Sequence, residues 1–427
     1  MFKEGRLDRI LRFIKRFIPK RLFDAGARIY HPFLAWSGAL RYGFPSQRLT
    51  VIGVTGTKGK STTVWLLARI LEDAGHPTAA IGSLGYKIKD KTWPNLIRMT
   101  MPGRWKMQKF LRQAVNAGCA FCVIETPSEG LAQGRHLGVR FDAAMFLGMH
   151  PEHLEAHGSW EAYRAAKQIL FRACRGFHVV NADDPSAVEF LRFRARKHLT
   201  FGVHHGDMQA TDVIADAHHA SFRVGDVEVR LNLGGLFNVY NALAAMAVAD
   251  AYGVVASQSA TTLATVRHIA GRMEWVQIEP FGVVVDYAHT PDSLEAVYTT
   301  LKPQAKRLIC VLGAAGGGRD TWKRPKFGAL AERYCDRVYL TAEDPFDEDP
   351  ARIMENIASG ISGPAQYAKV VREVDRRKAI RDAMADAQEG DIVVITGKGS
   401  ETSMSLAQGR KIPWSDREIV LELLQRR

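Results

Sequence analysis

The stretch LTVIGVTGTKGKST, residues 49–62, decides the fold of the first half of this chain. The apolar run Leu49–Val54 is typical of a buried strand, and a helix is predicted to begin near Lys60. Between them, glycines let the backbone fold around an anion, and the helix N-terminus directs free N–H groups at it. Lys60 can reach β- and γ-phosphates, and Ser61 can ligate Mg²⁺. The stretch therefore predicts a loop that binds nucleoside triphosphate.

This phosphate loop departs from the common pattern at one position. The common loop has a glycine five positions before the glycine of the Gly-Lys pair, whereas this chain has Val54 there. The residues that we predict to cradle the phosphates are Gly56, Thr57, Lys58, Gly59, Lys60, Ser61 and Thr62.

Length and composition indicate a multidomain globular protein. At 427 residues the chain is too long for one typical core, so we expect two or three domains. No apolar run approaches the ~20 residues needed to span a bilayer. The five cysteines mostly lie in apolar strand or helix patterns, which favours a reduced, cytoplasmic compartment. Cys119 and Cys122 form a C-x-x-C inside a buried strand pattern, which favours packing over redox or zinc chemistry.

The net charge of +13 is uneven along the chain. Residues 1–22 hold eight basic and two acidic residues, with apolar residues at helical spacing until Pro19, which predicts a basic amphipathic helix. This helix could dock on anionic lipid at the inner face of the membrane or on a partner, serve as an organelle presequence, or pack on the protein itself. No nucleic-acid partner is expected, because aromatic–basic interleaving and zinc-finger spacing are absent from the sequence. We expect a monomer.

Beyond the phosphate loop, apolar strand runs alternate with helical patterns, which is typical of a mostly parallel sheet covered by helices. A second αβ series begins near Gly271. We predict an α/β fold with a short basic helical segment at 1–48, a central P-loop ATPase domain at 49–265, and a C-terminal Rossmann-like domain at 266–427. In open α/β sheets the ligand lies at the carboxyl ends of the strands, where the polar motifs of this chain fall.

Three motifs in the first half could serve a metal or a substrate. Glu125 ends a strand pattern near the phosphate loop, where a carboxylate can bind Mg²⁺ directly or through water. The run GMHPEHLEAH, residues 148–157, is rich in histidine and acid, which fits a metal or phosphate site but also an ordinary polar loop. Lys167 lies on an amphipathic helix pattern, which by itself predicts an exposed lysine.

The second half adds charged motifs at predicted strand and helix ends. Arg272, in GRME, could project across the domain joint, and Asp286 closes a strand before a helix, which suits an anion or a metal. The run GGGRDTWKRP, residues 316–325, joins glycines to three cations, as in a loop that moves and clamps phosphate or carboxylate; the alternative is a solvated basic loop. The run GKGSE, residues 397–401, also ends a strand.

Taken together, these motifs resemble the Mur ligase family, and most closely its MurE branch. The resemblance runs from about Leu49 to the C-terminus and includes ETPSEGL, NADD, FNVYNALAA, DYAHTPDSL, EDP and SDRE. It also accounts for Val54, because TGTxGK[ST] is the family's form of the loop. In this family ATP phosphorylates the terminal carboxylate of a UDP-MurNAc-peptide, and an amine attacks the acyl phosphate. The resemblance therefore implies an ATP- and Mg²⁺-dependent acid–amino-acid ligase of peptidoglycan biosynthesis.

The resemblance also implies roles for individual residues. Mg²⁺ would be served by Ser61, Glu125, His153 and Lys167, the last matching the lysine that the family carbamylates into a metal-binding carboxylate. The catalytic residues would be Lys60, Lys167, His153 and Arg319. Further nucleotide contacts would be Asn238, Asn241, Arg272 and Asp286. The acceptor would be held by Thr100, Ser128, Gln133 and Arg135. The amino-acid and phosphate side of the cleft would contain Arg319, Lys323, Arg324, Glu343, Asp344, Gly397 and Glu401.

The chain departs from the family in ways that leave both substrates open. MurE proteins usually begin with a domain that grips the uridine nucleotide. Here 48 residues with an excess of basic side chains stand in its place, so a lipid-linked or trimmed acceptor is conceivable. The diaminopimelate motif Asp-Asn-Pro-Arg reads Glu343-Asp344-Pro345-Phe346, which removes the arginine fork for the distal carboxylate. The amino acid could be diaminopimelate, lysine or another. Two alternatives are a ligase with a poly-γ-glutamate, cyanophycin or folate-type acceptor, and a MurT-like nucleotide-binding partner subunit.

Overall fold

The structure, a computed structural model, describes residues 20–150, 157–318, 320–364 and 368–426, without the side chains of residues 20–29. The predicted helix before Pro19, together with His153 and Arg319, lies outside the described residues. Within the described part, one long helix precedes two α/β bodies. No helix there is both long and apolar enough to cross a membrane.

The first body is built around a nine-stranded sheet. Its strands are β1 (Thr50–Thr55), β2 (Thr78–Gly82), β3 (Gly85–Ile88), β4 (Lys91–Trp93), β5 (Phe121–Glu125), β6 (Ala143–Phe146), β7 (Phe177–Asn181), β8 (Lys197–Gly202) and β9 (Met208–Gln209). They lie in the order β4-β3-β2-β5-β1-β6-β7-β8-β9, parallel from β2 to β9. Strand β1 is buried along almost its whole length, as expected of a central parallel strand.

Helices cover both faces of this sheet. They are α1 (Lys20–Arg41), α2 (Lys60–Asp73), α3 (Arg104–Asn116), α4 (Ser128–Ala132), α5 (Trp160–Ala173), α6 (Ala187–Leu191), α7 (Leu236–Ala251) and α8 (Ala256–Thr265). Helix α7 packs on α2, and its sequence LFNVYNALAAMAVADA is apolar nearly all round, which is typical of a buried helix. A small antiparallel sheet of β10 (Thr211–Ala215), β11 (Ala220–Val224) and β12 (Val227–Leu231) packs against α7 and α8.

The second body contains a six-stranded sheet in the order β13-β14-β18-β15-β16-β17. Its strands are β13 (Glu274–Gln277), β14 (Gly282–Asp286), β15 (Leu308–Leu312), β16 (Arg337–Leu340), β17 (Val370–Arg372) and β18 (Ile392–Thr396). Its helices are α9 (Pro291–Leu301), α10 (Lys323–Tyr334), α11 (Pro350–Ala358), α12 (Arg376–Asp386) and α13 (Asp416–Leu424). Only β13 runs antiparallel in this sheet, and a separate hairpin of β19 (Ser403–Ser405) and β20 (Lys411–Pro413) follows β18.

This architecture confirms the predicted α/β fold with a large, mostly parallel sheet and a second sheet domain. Helix α8 still packs on α2 and β12, whereas the second sheet begins at Glu274. We therefore propose to keep the limits 1–48, 49–265 and 266–427 for the three parts of the chain.

The structure differs from the sequence prediction in two places outside the site. The short strands β3 and β4 form a hairpin at the edge of the first sheet, where no strand was predicted, because the exposed segment KTW shows no apolar alternation. Cys310 and Cys335 form a disulfide, contrary to the expectation that all cysteines are reduced. They are 25 residues apart, and the pairing of β16, which begins just after Cys335, with β15 brings them together. Cys119 and Cys122 are free and buried, as their strand pattern predicted.

Candidate active site

A cavity of about 920 Å³ lies between the two bodies, at the carboxyl ends of β1, β5, β6, β7 and β14. Its lining includes most of the nucleotide- and acceptor-side residues that the sequence suggested: Thr57, Lys58, Gly59, Lys60, Ser61, Thr62, Thr100, Glu125, Ser128, Arg135, Asn238, Asn241, Arg272 and Asp286. Both bodies contribute to it, because Arg272 and Asp286 belong to the second one. A site shared in this way is completed only when the two bodies are close together.

The phosphate loop leads from β1 directly into α2. Gly59 stands at the N-cap of α2 with φ of 79°, and a Cβ at this position would lie 2.2 Å from Asn241 Oδ1. Only glycine fits here, because both the backbone angle and the close approach of α7 exclude a side chain. Lys60 Nζ donates to the carbonyls of Gly56 at 3.0 Å and Thr57 at 2.8 Å. The lysine therefore lies over the loop, where an anion bound at the N-terminus of α2 would meet it.

Lys167 is buried beneath the phosphate loop, so its prediction as an exposed lysine was wrong. Its side chain is 1% exposed, and Nζ donates to Gly56 O at 2.8 Å and lies 4.3 Å from the centroid of the Tyr163 ring. Tyr163 OH in turn is 3.0 Å from Thr57 Oγ1. Tyr163, Lys167 and Leu170 recur at i, i+4 and i+7 on α5, which is the spacing of a buried stripe. This spacing in the sequence could have predicted that Lys167 is buried.

Ser61 and Glu125 form an oxygen pair suited to Mg²⁺. Ser61 Oγ donates to Glu125 Oε2 at 3.1 Å, and Ser83 donates to the same carboxylate through N at 2.8 Å and Oγ at 3.3 Å. Glu125 is 2% exposed, and within the described residues its carboxylate has no cationic side chain within ion-pair distance. Mg²⁺ is commonly held by one or two protein oxygens together with phosphates and water, so the pair fits this ion. No cluster of three metal-binding side chains exists among the described residues, and His153 is not among them.

Two asparagines on α7 and two residues of the second body border the loop. Asn241 Oδ1 accepts from Thr63 Oγ1 at 3.4 Å, and its Nδ2 donates to Asn238 Oδ1 at 3.1 Å. Arg272 reaches toward Ser61, with 3.5 Å between Nη2 and Oγ. Asp286 accepts the backbone N–H groups of Met273 and Ala288, each at 2.6 Å. Burial raises the pKa of Asp286, although Arg272 and these N–H groups oppose the effect.

Three of the predicted acceptor residues, Thr100, Ser128 and Arg135, also line the cavity. Thr100 Oγ1 is 2.8 Å from Ser83 Oγ, which links it to Glu125, and Ser128 Oγ is 3.1 Å from His157 Nε2. Arg135 donates to Met101 O at 2.5 Å and to Gln133 Oε1 at 2.7 Å. Gln133 itself is exposed and does not line the cavity.

Arg135 and Arg104 form a pair of desolvated cations beside these residues. Burial lowers the pKa of both guanidinium groups, and repulsion from Arg135 lowers that of Arg104 further. Arg104 donates to Gln133 O, and its buried Nε has no hydrogen-bond partner within the described structure. Neither arginine has a carboxylate within ion-pair distance among the described residues. A bound anion would offset the electrostatic repulsion between these two cations, since guanidinium groups bind carboxylate or phosphate in bidentate fashion.

A second charged cluster adjoins the cavity on the side of the second body. Asp344 accepts from Lys398 Nζ at 2.9 Å and from Ser405 N at 2.6 Å, and Glu401 accepts from Lys398 Nζ at 2.6 Å. Arg98 joins both carboxylates from the first body: Nη2 is 2.8 Å from Asp344 Oδ2 and also contacts Glu401, and Nη1 donates to Ser405 Oγ at 2.9 Å. Burial alone would raise the pKa of Asp344, but Lys398 and Arg98 hold it below its ordinary value.

Glu343 and Gly397 lie at the base of this second cluster. A Cβ at Gly397, whose φ is 106°, would lie 2.4 Å from Glu343 Oε2. Burial raises the pKa of Glu343 to about 6, although Lys398, Arg376 and Lys323 oppose the effect. Oε2 of Glu343 has no hydrogen-bond partner in the described part of the chain.

Arg324, predicted on the substrate side, does not line the cavity. It is 1% exposed and forms a bidentate pair with Glu348, at 2.6 Å and 2.8 Å. Lys323 Nζ lies 3.9 Å from Asp320 Oδ2. In this structure Arg324 is therefore paired with an acid between β16 and α11, and Lys323 with an acid just before α10.

Sequence reasoning missed Arg98, Arg104, Ser83 and Tyr163. Arg98 lies between β4 and α3, Arg104 begins α3, and neither position has a glycine-loop or strand-end signal. Arg98 contacts Asp344 and Glu401 across 246 and 303 residues of sequence. No pattern of local spacing could have predicted these contacts.

Comparison with known proteins identifies relatives over nearly the whole chain. A family profile described as Mur ligase middle domain matches residues 54–249, and one described as Mur ligase, glutamate ligase domain matches residues 271–399. The chain is 38% identical to UDP-N-acetylmuramyl-tripeptide synthetase of Roseiflexus sp. (strain RS-1), over 94% of this chain and 87% of the relative. It is 39% identical to UDP-N-acetylmuramoyl-L-alanyl-D-glutamate--2,6-diaminopimelate ligase of Geobacillus kaustophilus, over 84% and 76% respectively. A solved structure with the latter enzyme name aligns with a TM-score of 0.62 at 31% identity, covering 88% of this chain and 78% of that one.

Proposed function

Because the chain belongs to the Mur ligase family of ATP-dependent ligases, we propose that it joins an amino acid to the terminal carboxylate of a UDP-MurNAc-dipeptide-type peptidoglycan precursor through an acyl phosphate. One observation carries this proposal: the phosphate loop and Arg135 line the same cavity, to which both bodies contribute, and Arg104 lies beside Arg135. This arrangement can hold a triphosphate on the phosphate loop and an anionic group of the acceptor at Arg135.

The first proposed step activates the acceptor carboxylate. One carboxylate oxygen attacks the γ-phosphorus of ATP, the bond to the β–γ bridging oxygen breaks, and ADP leaves. The phosphate loop and Lys60 hold the phosphates, while Arg135 and Arg104 hold other anionic groups of the acceptor. Ser61 and Glu125 would hold Mg²⁺, which offsets negative charge on the transferring phosphoryl group. Catalysis here is positioning and electrostatic stabilisation, since the protein forms no covalent bond to the substrate.

The second proposed step forms the amide. The amine of the amino acid attacks the acyl carbon, loses a proton, and inorganic phosphate leaves from a tetrahedral intermediate. Asp344 and Glu401 offer carboxylates for an ammonium group, and Arg98 and Lys398 offer cations for a carboxylate. Cationic and anionic groups within one cluster match the two charges of a free amino acid. Arg272 stands close enough to Ser61 to offset charge on the phosphate.

We also propose that Lys167 becomes a metal ligand by carbamylation. Lys167 matches the lysine that the family carbamylates, and addition of CO₂ to its neutral amine would give a carboxylate beneath the phosphate loop. Native mass spectrometry of the full chain with and without bicarbonate checks this step. The Lys167→Met variant should lack the carbamyl mass, whereas a variant of the exposed Lys109 should retain it.

A phosphate-release screen tests the proposed function. The full chain receives ATP, Mg²⁺ and UDP-MurNAc-dipeptide, with diaminopimelate, lysine or other amino acids supplied one at a time. We expect phosphate release that requires both acceptor and one amino acid, and that the Lys60→Ala variant loses. The Lys109→Ala variant, which changes an exposed lysine, is the matched control.

Three results would count against the proposal. Release with a γ-glutamyl or folate-type acceptor but not with UDP-MurNAc-dipeptide would assign another substrate class. Tight ATP binding without turnover on any acceptor would assign a nucleotide-binding subunit that needs a partner. Full activity of Lys60→Ala would remove the phosphate loop from the reaction.

A further inference from the structure

Helix α1 exposes four large apolar side chains of its described part to solvent. Tyr30, Phe33, Trp36 and Leu40 are 50%, 67%, 55% and 71% exposed, respectively. Their spacing of three and four residues places them on one face of the helix, called here the aromatic face. A surface helix of a globular protein normally places polar residues on this side.

The opposite side of α1 is packed firmly through small residues. Ala35 and Ala39 are fully buried, and a Cβ at Gly38 would lie 3.3 Å from the Trp105 side chain on α3. Trp105 Nε1 donates to Ser37 Oγ at 3.2 Å, and Arg112 of the same helix donates to the carbonyls of Tyr42 and Gly43. The helix is therefore attached by its small face, and a rotation that buried the aromatic face would break these contacts.

The chemistry around the aromatic face indicates an anionic lipid surface. Tyrosine and tryptophan, present here, favour the boundary between lipid headgroups and acyl chains, where amphipathic helices lie in the membrane plane. Arg41 is exposed at the C-terminal end of α1, and Trp105 adds a further ring, 42% exposed, beside the helix. Residues 1–28 contain nine basic and three acidic residues by sequence. This excess of positive charge complements anionic headgroups.

We propose that α1 docks the protein on an anionic membrane surface, with Phe33, Trp36 and Leu40 in the lipid interface. The contact is distinct from the predicted one through residues 1–22, because it uses side chains of the described helix. It also has a consequence for the cavity. Gly138, which follows the Gln133–Arg135 segment, packs against Ala35 and Ala39 of α1, and Arg104 begins the helix on which α1 lies. Docking would therefore hold the part of the cavity that Arg135 lines near the lipid.

Vesicle sedimentation of the full chain tests this proposal. The probes are phosphatidylcholine vesicles with and without phosphatidylglycerol. The variant is Phe33→Gln/Trp36→Gln/Leu40→Gln, which removes apolar surface and keeps charge and helix propensity. The matched control is Val188→Gln/Ile214→Gln/Ile278→Gln, which changes three equally exposed apolar residues elsewhere. We expect the wild type and control to bind phosphatidylglycerol vesicles equally, and the α1 variant to bind at least ~tenfold more weakly.

Each other outcome overturns the proposal. Equal binding by the α1 variant, or no binding by the wild type, excludes the aromatic face as a lipid contact. If the α1 variant still binds vesicles but a protein without residues 1–19 does not, residues 1–19 are the membrane contact. If the wild type and the control sediment as dimers without lipid and the α1 variant does not, the aromatic face binds a second copy of the chain. Near-ultraviolet circular dichroism of the triple variant shows whether misfolding causes a loss of vesicle binding. Vesicle binding by the single variants Phe33→Gln and Trp36→Gln gives the same check with a smaller change to the protein.

Discussion

Replacement of Arg98 by methionine should loosen the contact between the two bodies. Arg98 belongs to the first body, yet it contacts Asp344, Glu401 and Ser405 of the second. Methionine keeps the apolar stem and removes the guanidinium group. Asp344 and Glu401 would then share Lys398 as their remaining cation in this cluster. The closed arrangement then loses the ion pairs that join the two bodies, whereas an open arrangement loses none, so the closed one is disfavoured.

The expected magnitude follows from the three contacts of Arg98. A hydrogen bond to a charged group contributes about 1.5–3 kcal/mol when buried, and the side chains here are 18%, 10% and 22% exposed. Allowing for solvent screening, we expect the closed arrangement to lose about 3 kcal/mol in total, or about a hundredfold in its equilibrium with an open one. Arg98 also has a φ of 49°, an uncommon backbone angle for a residue with a side chain. Its contacts therefore help to hold a strained segment.

Two assays report on this change. Small-angle X-ray scattering should show a larger radius of gyration for Arg98→Met, and phosphate release should show a raised KM for the amino acid with a smaller change in KM for ATP. The control is Arg372→Met, which breaks the 2.7 Å pair with Glu355 inside the second body. Wild-type scattering together with a KM for the amino acid within threefold of wild type would refute the role of Arg98 in closure.

Three further predictions concern the metal site, the pH dependence of stability and the cysteines. Glu125→Gln should raise the Mg²⁺ concentration for half-maximal phosphate release by at least ~tenfold, because it removes the carboxylate beside Ser61; an unchanged Mg²⁺ titration would place the ion elsewhere. Glu343 has a pKa raised by burial to about 6 from an ordinary 4.5, so its contribution to stability is lost as pH rises through about 6. Glu343→Gln should therefore be more stable than wild type at pH 8 in urea unfolding, by ~2 kcal/mol, and equal to it below pH 4.5; a constant difference would contradict this. Unreduced, denatured protein should titrate three thiols and reduced protein five, whereas five before reduction would exclude the Cys310–Cys335 bond.

The sequence predicted those parts of the structure that depend on local patterns. The strand before the phosphate loop, the helix at Lys60 and the strands that end at Glu125 and Asp286 all follow from apolar runs bounded by glycine or polar residues. The carboxyl ends of parallel strands meet at one edge, which explains why the motifs found along the chain gather around one cavity. Local periodicity was sufficient for these features because each depends on near neighbours in sequence.

Long-range packing decided the features that the sequence did not show. Arg98 finds its partners across the two bodies, and Cys335 meets Cys310 only after β16 pairs with β15. Lys167 was misjudged because a charged residue on an amphipathic helix was assigned to the solvent side. The helical spacing from Tyr163 through Lys167 to Leu170 already placed it on the buried stripe. The exposed aromatic face of α1 was also unforeseen, because the segment's small residues proved to be its packing side.

The central claim is that the acceptor carboxylate is activated as an acyl phosphate, and isotope transfer tests it most directly. The full chain would receive ATP, Mg²⁺, the amino acid found in the screen, and UDP-MurNAc-dipeptide whose terminal carboxylate oxygens carry a heavy isotope. Attack of that carboxylate on the γ-phosphorus, followed by loss of phosphate, moves one labelled oxygen from the acceptor into each phosphate released. We predict one labelled oxygen per phosphate and one retained in the new amide. Phosphate released without label, alongside amide formation, would contradict the account.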